Sequence, residues 1–85
     1  MTTHHFAPQH YYNTIGSHKP VLHIADGDTV ITCAVDAGGR DANDEQITNP
    51  GNPQTGPFYI EGAEPGDILA VHFDSLMPNR QRGYT

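Results

Sequence analysis

The sequence predicts an all-β fold: a small, partly open β-barrel or sandwich of about five to six short strands with long Gly/Pro/Asn-rich loops. Two observations lead there. The 85 residues hold 9 Gly and 7 Pro, no Trp and only 35% hydrophobic residues, a balance that favours turns and short strands over long helices. The run of Thr29, Val30, Ile31, Thr32 and Val35 is β-branched. Such side chains lose χ1 freedom in a helix and pack well on a pleated surface.

A chain of 85 residues allows one domain at most and is marginally stable by itself. Residues 1–9 are polar and read as a mobile N-terminal tail. Residues 10–80 form the β domain. Its first strand is residues 10–15, where Tyr11 and Tyr12 supply β propensity, and Gly16-Ser17-His18-Lys19-Pro20 breaks it. Residues 21–24 are a short second strand. Ala25-Asp26-Gly27-Asp28 is a tight turn that uses the freedom of Gly27 to take positive φ.

Residues 29–37 read as the longest strand. Val30, Thr32, Ala34 and Asp36 point one way, and Thr29, Ile31, Cys33 and Val35 the other. Neither face is strongly polar, so both call for cover, from more protein than the chain contains or from a partner. Residues 38–57 form a loop of turn formers with Ile47 as chief apolar anchor; so long a loop is usually functional or disordered. Residues 58–61 and 68–76 are the last strands. Between them Glu64-Pro65-Gly66-Asp67 has the Pro-then-Gly order of a type II turn. It echoes Ala25-Asp26-Gly27-Asp28, and shared hairpin chemistry accounts for the echo. Residues 81–85 read as a truncated C-terminal connection.

The net charge is −6, and the four basic residues, Lys19, Arg40, Arg80 and Arg82, do not cluster. A nucleic-acid partner calls for a basic patch, so none is expected. No run approaches a membrane span, and the N-terminus lacks the basic and apolar regions of a signal peptide. Cys33 is the sole cysteine, which excludes an internal disulfide and a Cys-based zinc cluster. A soluble cytoplasmic protein is the expectation.

Asp36 is the sharpest candidate for chemistry. A carboxylate at the end of a β-branched run, beside Gly38-Gly39, stands where backbone can approach a ligand closely. It can serve as a metal ligand, a general base or a turn-capping acceptor, and capping is the commonest use of Asp in that setting. His72 shares a strand face with Ile68 and Ala70 and reads as a hydrogen-bonded, half-buried side chain. His4 and His5, in the expected tail, read as inert or as a casual metal binder. Cys33 reads as a small buried apolar residue. There is no Gly-x-Ser-x-Gly nucleophile motif and no phosphate-binding Gly-rich loop.

Several short motifs follow one another in a recognisable order. They are His10-Tyr11, Pro20-Val21-Leu22, Gly27-Asp28-Thr29-Val30, Val35-Asp36-Ala37-Gly38-Gly39, Asn52-Pro53-Gln54-Thr55-Gly56-Pro57 and Gly62-Ala63-Glu64-Pro65-Gly66-Asp67. In this order they resemble the N-terminal part of the acetamidase/formamidase family. The resemblance implies a portion of a cytoplasmic, oligomeric enzyme that hydrolyses small linear amides to carboxylate and ammonia, with a divalent metal such as zinc. It assigns catalysis to Asp36 and His72, metal binding to Asp36 and His10, and the edge of the amide pocket to Gly38, Gly39, Thr55 and Gly56, whose N–H groups would hold an oxyanion.

The chain is several times shorter than such an enzyme. A fragment inactive alone is therefore expected, completed as a homo-oligomer or by a companion chain. The alternative is a non-catalytic β binding or oligomerisation module derived from the same fold. A copper-binding reading of residues 20–30 is weaker, because Cys33 has no His after it until His72.

Overall fold

The fold is known from a computed structural model, which describes residues 1–81. It is all-β among the described residues: four strands of three residues each and no helix. The strands are β1 (Thr3–His5), β2 (Leu22–Ile24), β3 (Thr29–Ile31) and β4 (Phe58–Ile60). β1 pairs with β3 in one sheet and β2 with β4 in another, both parallel. Neither sheet closes, so two small separate sheets stand where a barrel or sandwich was expected.

The turn between β2 and β3 explains this topology. The Asp28 N–H donates to Ala25 O at 3.0 Å, and Gly27 has φ 86°, as a type II turn requires at its third position. The Asp28 carboxylate clamps the turn by accepting the Ala25 N–H at 2.9 Å. Yet β2 and β3 do not pair with each other. The turn hands the chain from one sheet to the other, and the expected hairpin is an arch.

Within the segment expected as a tail, β1 lies in register with β3, Thr3 against Thr29 and His5 against Ile31. Thr29 N–H donates to Thr2 O and Phe6 N–H to Ile31 O, both at 2.9 Å. The Phe6 ring then meets Phe58 edge-on, with centroids 5.6 Å apart, and so links the two sheets.

Two expected strands are absent. Residues 10–15 contribute one antiparallel bridge, Tyr12 to Gln54, and residues 68–76 contribute none. The expected long strand over residues 29–37 ends at Ile31, and Cys33, expected to be buried, is exposed. The cause is common to all three. β-branched residues set an extended backbone, but a strand also needs a partner for its N–H and C=O groups. β1 runs out beside Ile31, and no strand among the described residues lies alongside residues 68–76. Ile68 is 97% exposed there, and Val71 and Phe73 are exposed as well.

No aliphatic or aromatic side chain among the described residues is fully buried. The buried positions are Gly39, Pro53 and Gly56, all in the long loop. Order therefore centres on that loop. No helix of the described residues is long and apolar enough to cross a membrane. Of the expected C-terminal connection at 81–85, residues 82–85 lie outside the described residues.

Candidate functional site

Asp36 organises the loop. Its Oδ1 accepts the N–H groups of Gly38 and Arg40, both at 2.9 Å, and its main-chain oxygen accepts the Gly39 N–H at 3.0 Å. This is the capping arrangement open to an Asp ahead of a Gly-rich turn. Gly39 O next collects the N–H of Ile47 at 3.0 Å, while Ala37 O collects those of Gly51 and Asn52 at 3.1 and 3.0 Å. One carboxylate and three carbonyls thus fold residues 36–52 back on themselves. The amides of Gly38 and Gly39, expected to face an oxyanion, donate to Asp36 instead.

The other oxygen, Asp36 Oδ2, meets the Arg80 guanidinium. Arg80 Nη1 also donates to Asp41 O and lies 3.6 Å from Asp44 Oδ1. The two paired side chains are largely covered, with Asp36 8% and Arg80 12% exposed. The Asp36 carboxyl is held below the usual carboxylate range, chiefly by the Arg40 N–H and then by Arg80, against a contrary push from burial. Arg80→Ala should therefore bring the Asp36 pKa up toward that range, and a carboxyl ¹³C NMR titration reads the change. Arg80→Lys should restore it incompletely, because an ammonium cannot span the carboxylate and the Asp41 carbonyl with one rigid fork.

Thr55 and Gly56 lie elsewhere. With Tyr12, Thr14, His18 and Pro57 they line a small cleft of about 100 Å³. The Thr55 hydroxyl donates to Cys33 O at 2.8 Å. His18 stacks on Tyr12 with centroids 4.0 Å apart, and its Nε2 lies 2.9 Å from Thr14 Oγ1. His18 thus joins Tyr12 in the wall of the cleft, a place the sequence reading overlooked. Only its neighbourhood to the Gly-Ser break at residues 16–17 hinted at it.

The two histidines expected at the site, His10 and His72, are not brought to Asp36. His10 is exposed. His72, expected to be half-buried, is 88% exposed, and its Nδ1 pairs with Asp74 Oδ1 at 2.8 Å. The missing strand over residues 68–76 leaves it there. A divalent metal needs several hard or imidazole donors converging on one point. Asp36 faces two N–H groups and a guanidinium, and no group of three or more His, Cys, Asp or Glu gathers among the described residues. As folded here, these donors do not fit a metal.

Compared with known proteins, the chain bears out its resemblance to the acetamidase/formamidase family. Over 72 residues it is 38% identical to a protein of Schizosaccharomyces pombe named "Putative formamidase". The match takes in 73% of this chain and 18% of that protein, so the chain spans less than a fifth of the length of the curated relative it matches. No family model matches the chain. No solved structure matches it either.

Proposed function

We propose that this chain is a portion of a formamidase-like amidase, an enzyme that hydrolyses small linear amides to carboxylate and ammonia, and that it does not turn them over alone. The identity over 72 residues carries the reading. The geometry supports the inactivity. Amide hydrolysis calls for a base, an oxyanion stabiliser and an acid converging on one carbonyl. Here the Asp36 carboxylate takes the Gly38 amide and the Asp36 main-chain oxygen takes the Gly39 amide, while His10 and His72 stand apart.

On this reading, Asp36 shapes the loop. Thr55, Gly56 and His18 offer a wall against which further protein would complete an amide pocket. Added strands would likewise turn the two sheets into the closed or sandwiched architecture of the whole enzyme. On this reading the protein works in the cytoplasm, as part of an oligomer or beside a companion chain. The lack of a buried apolar side chain among the described residues favours this reading over a self-standing β binding module, which needs a core of its own.

The test is ammonia release from formamide and acetamide by the purified chain, with and without added zinc, beside Asp36→Ala. No turnover is expected in any arm. Zinc-dependent turnover that Asp36→Ala abolishes would overturn the proposed inactivity and put a metal on Asp36.

A further inference from the structure

Residues 2–4 carry nitrogens in the order that square-planar copper and nickel take. A free amine, the next two main-chain amides and the Nδ1 of a histidine in third place close fused chelate rings around one ion. Cu(II) and Ni(II) favour such a plane of nitrogens. Thr2-Thr3-His4 has this order once Met1 is cut away. With Met1 in place, His4 is fourth and the rings do not close. The Met1 side chain is fully exposed, and Thr2 is a small residue of the kind behind which aminopeptidases remove a terminal Met. Thr2 and Thr3 are exposed as well. His4 meets Asp28 through Nε2, which leaves Nδ1 for another partner.

The same atoms hold β1 in place. Thr2 N–H donates to Asp28 Oδ1 at 2.9 Å, and His4 Nε2 lies 2.9 Å from Asp28 Oδ2. Phe6 N–H donates to Ile31 O, and strand alternation turns the His4 N–H, two residues back, toward β3 as well. An ion on Thr2 N, Thr3 N, His4 N and His4 Nδ1 takes the Thr2 nitrogen from Asp28 and the His4 amide from the ladder. It also wraps residues 2–4 around one point, whereas β1 keeps Thr3–His5 extended along Thr29–Ile31. The ion and β3 therefore compete for one segment.

We propose that Thr2-Thr3-His4, in the chain cut after Met1, is a Cu(II)- and Ni(II)-binding site whose loading lifts β1 off β3. On loading, the ammonium proton of Thr2 and the amide protons of Thr3 and His4 pass to water, and the nitrogen lone pairs go to the metal. No electron is transferred. Phe6 follows β1, so the edge-on contact with Phe58 that links the two sheets is lost. The inference rests on the chemistry of residues 2–4 and the Asp28 clamp, and not on the amidase reading.

The test titrates Ni(II) into the ¹⁵N-labelled chain cut to begin at Thr2, with the Met1-bearing chain beside it; intact mass verifies each. Square-planar Ni(II) is diamagnetic, so amide signals stay sharp. The cut chain should develop the visible absorption of a square-planar nitrogen centre and lose the Thr3 and His4 amide signals. Exchange protection at the Thr29 and Phe6 amides should fall with them. The Met1-bearing chain should bind at least about a hundredfold more weakly, since losing a ligand costs no less than losing a group that orients one. Asp28→Ala in the cut chain leaves every ligand nitrogen in place and frees β1, so it should tighten binding by up to about tenfold. Equal affinity with and without Met1, Thr3 and His4 amide signals that persist at saturation, or protection that the metal leaves unchanged would overturn the proposal. So would weaker binding by Asp28→Ala, which would make Asp28 a partner of the ion and not its rival.

Discussion

Gly39→Ala is expected to unfold the loop from residue 36 to residue 52. The new Cβ would strike Thr48 O and lie 2.7 Å from Gln46 Nε2, on a buried backbone with φ +84°. Its nearest obstacle is a carbonyl oxygen and not the end of a flexible side chain, so no rotamer change relieves the contact. The left-handed backbone and the clash together should cost about 3 kcal/mol or more, enough to abolish order in a chain with so little buried apolar surface. Gly66→Ala separates the two causes. It has φ +96° and nothing within 4 Å, so it should cost about 1 kcal/mol from backbone conformation alone. Urea titration followed by amide NMR reads both, and equal losses would show that the close approach to Thr48 does not matter.

Acid should release β1. The Asp28 carboxyl is held well below the ordinary carboxylate range, first by the His4 side chain and then by the N–H groups of Ala25 and Thr2. Its folded-state pKa lies below its unfolded value, so the unfolded chain binds more protons as the pH falls. The stabilisation is whole above the ordinary Asp value of about 4 and drains away below it. Asp36, shifted the same way, adds to the loss in that window. Exchange protection of the Thr29 and Phe6 amides should fall together on acidification. Asp28→Ala should lower the same protection about tenfold at neutral pH, since it removes an acceptor of charge-assisted bonds. Unchanged protection would mean that the ladder holds β1 without the Asp28 clamp.

Local chemistry was legible in the sequence. The Pro-Gly-Asp turn, the echo of its Gly-Asp step, and the capping use of Asp36 ahead of two glycines each depend on residues within four positions of one another. Pairing was not legible. The β-branched run marked residues 29–37 as extended, but only β1 decides that the strand stops at Ile31, and β1 lies in a segment too polar to read as a strand. Arg80 appeared as one of four scattered basic residues, and nothing nearby announces that it reaches Asp36, 44 positions away. His4 looked idle for the same reason, its partner being 24 positions off. His72 was misjudged because a strand was assumed where the described residues hold no partner strand.

The alternation of the two sheets along the chain bears on how the protein assembles in time. β1 waits for β3, and β2, which lies between them, waits for β4. Each closure spans a stretch of roughly 25 to 35 residues whose entropy is surrendered before any ladder bond is gained. No adjacent pair can zip first and serve as a nucleus. Relaxation should accordingly fall in the slow range of chains dominated by distant contacts, milliseconds to seconds, despite the small size. During synthesis β1 would leave the ribosome well ahead of β3, and the second sheet could not begin until Phe58 had followed β2.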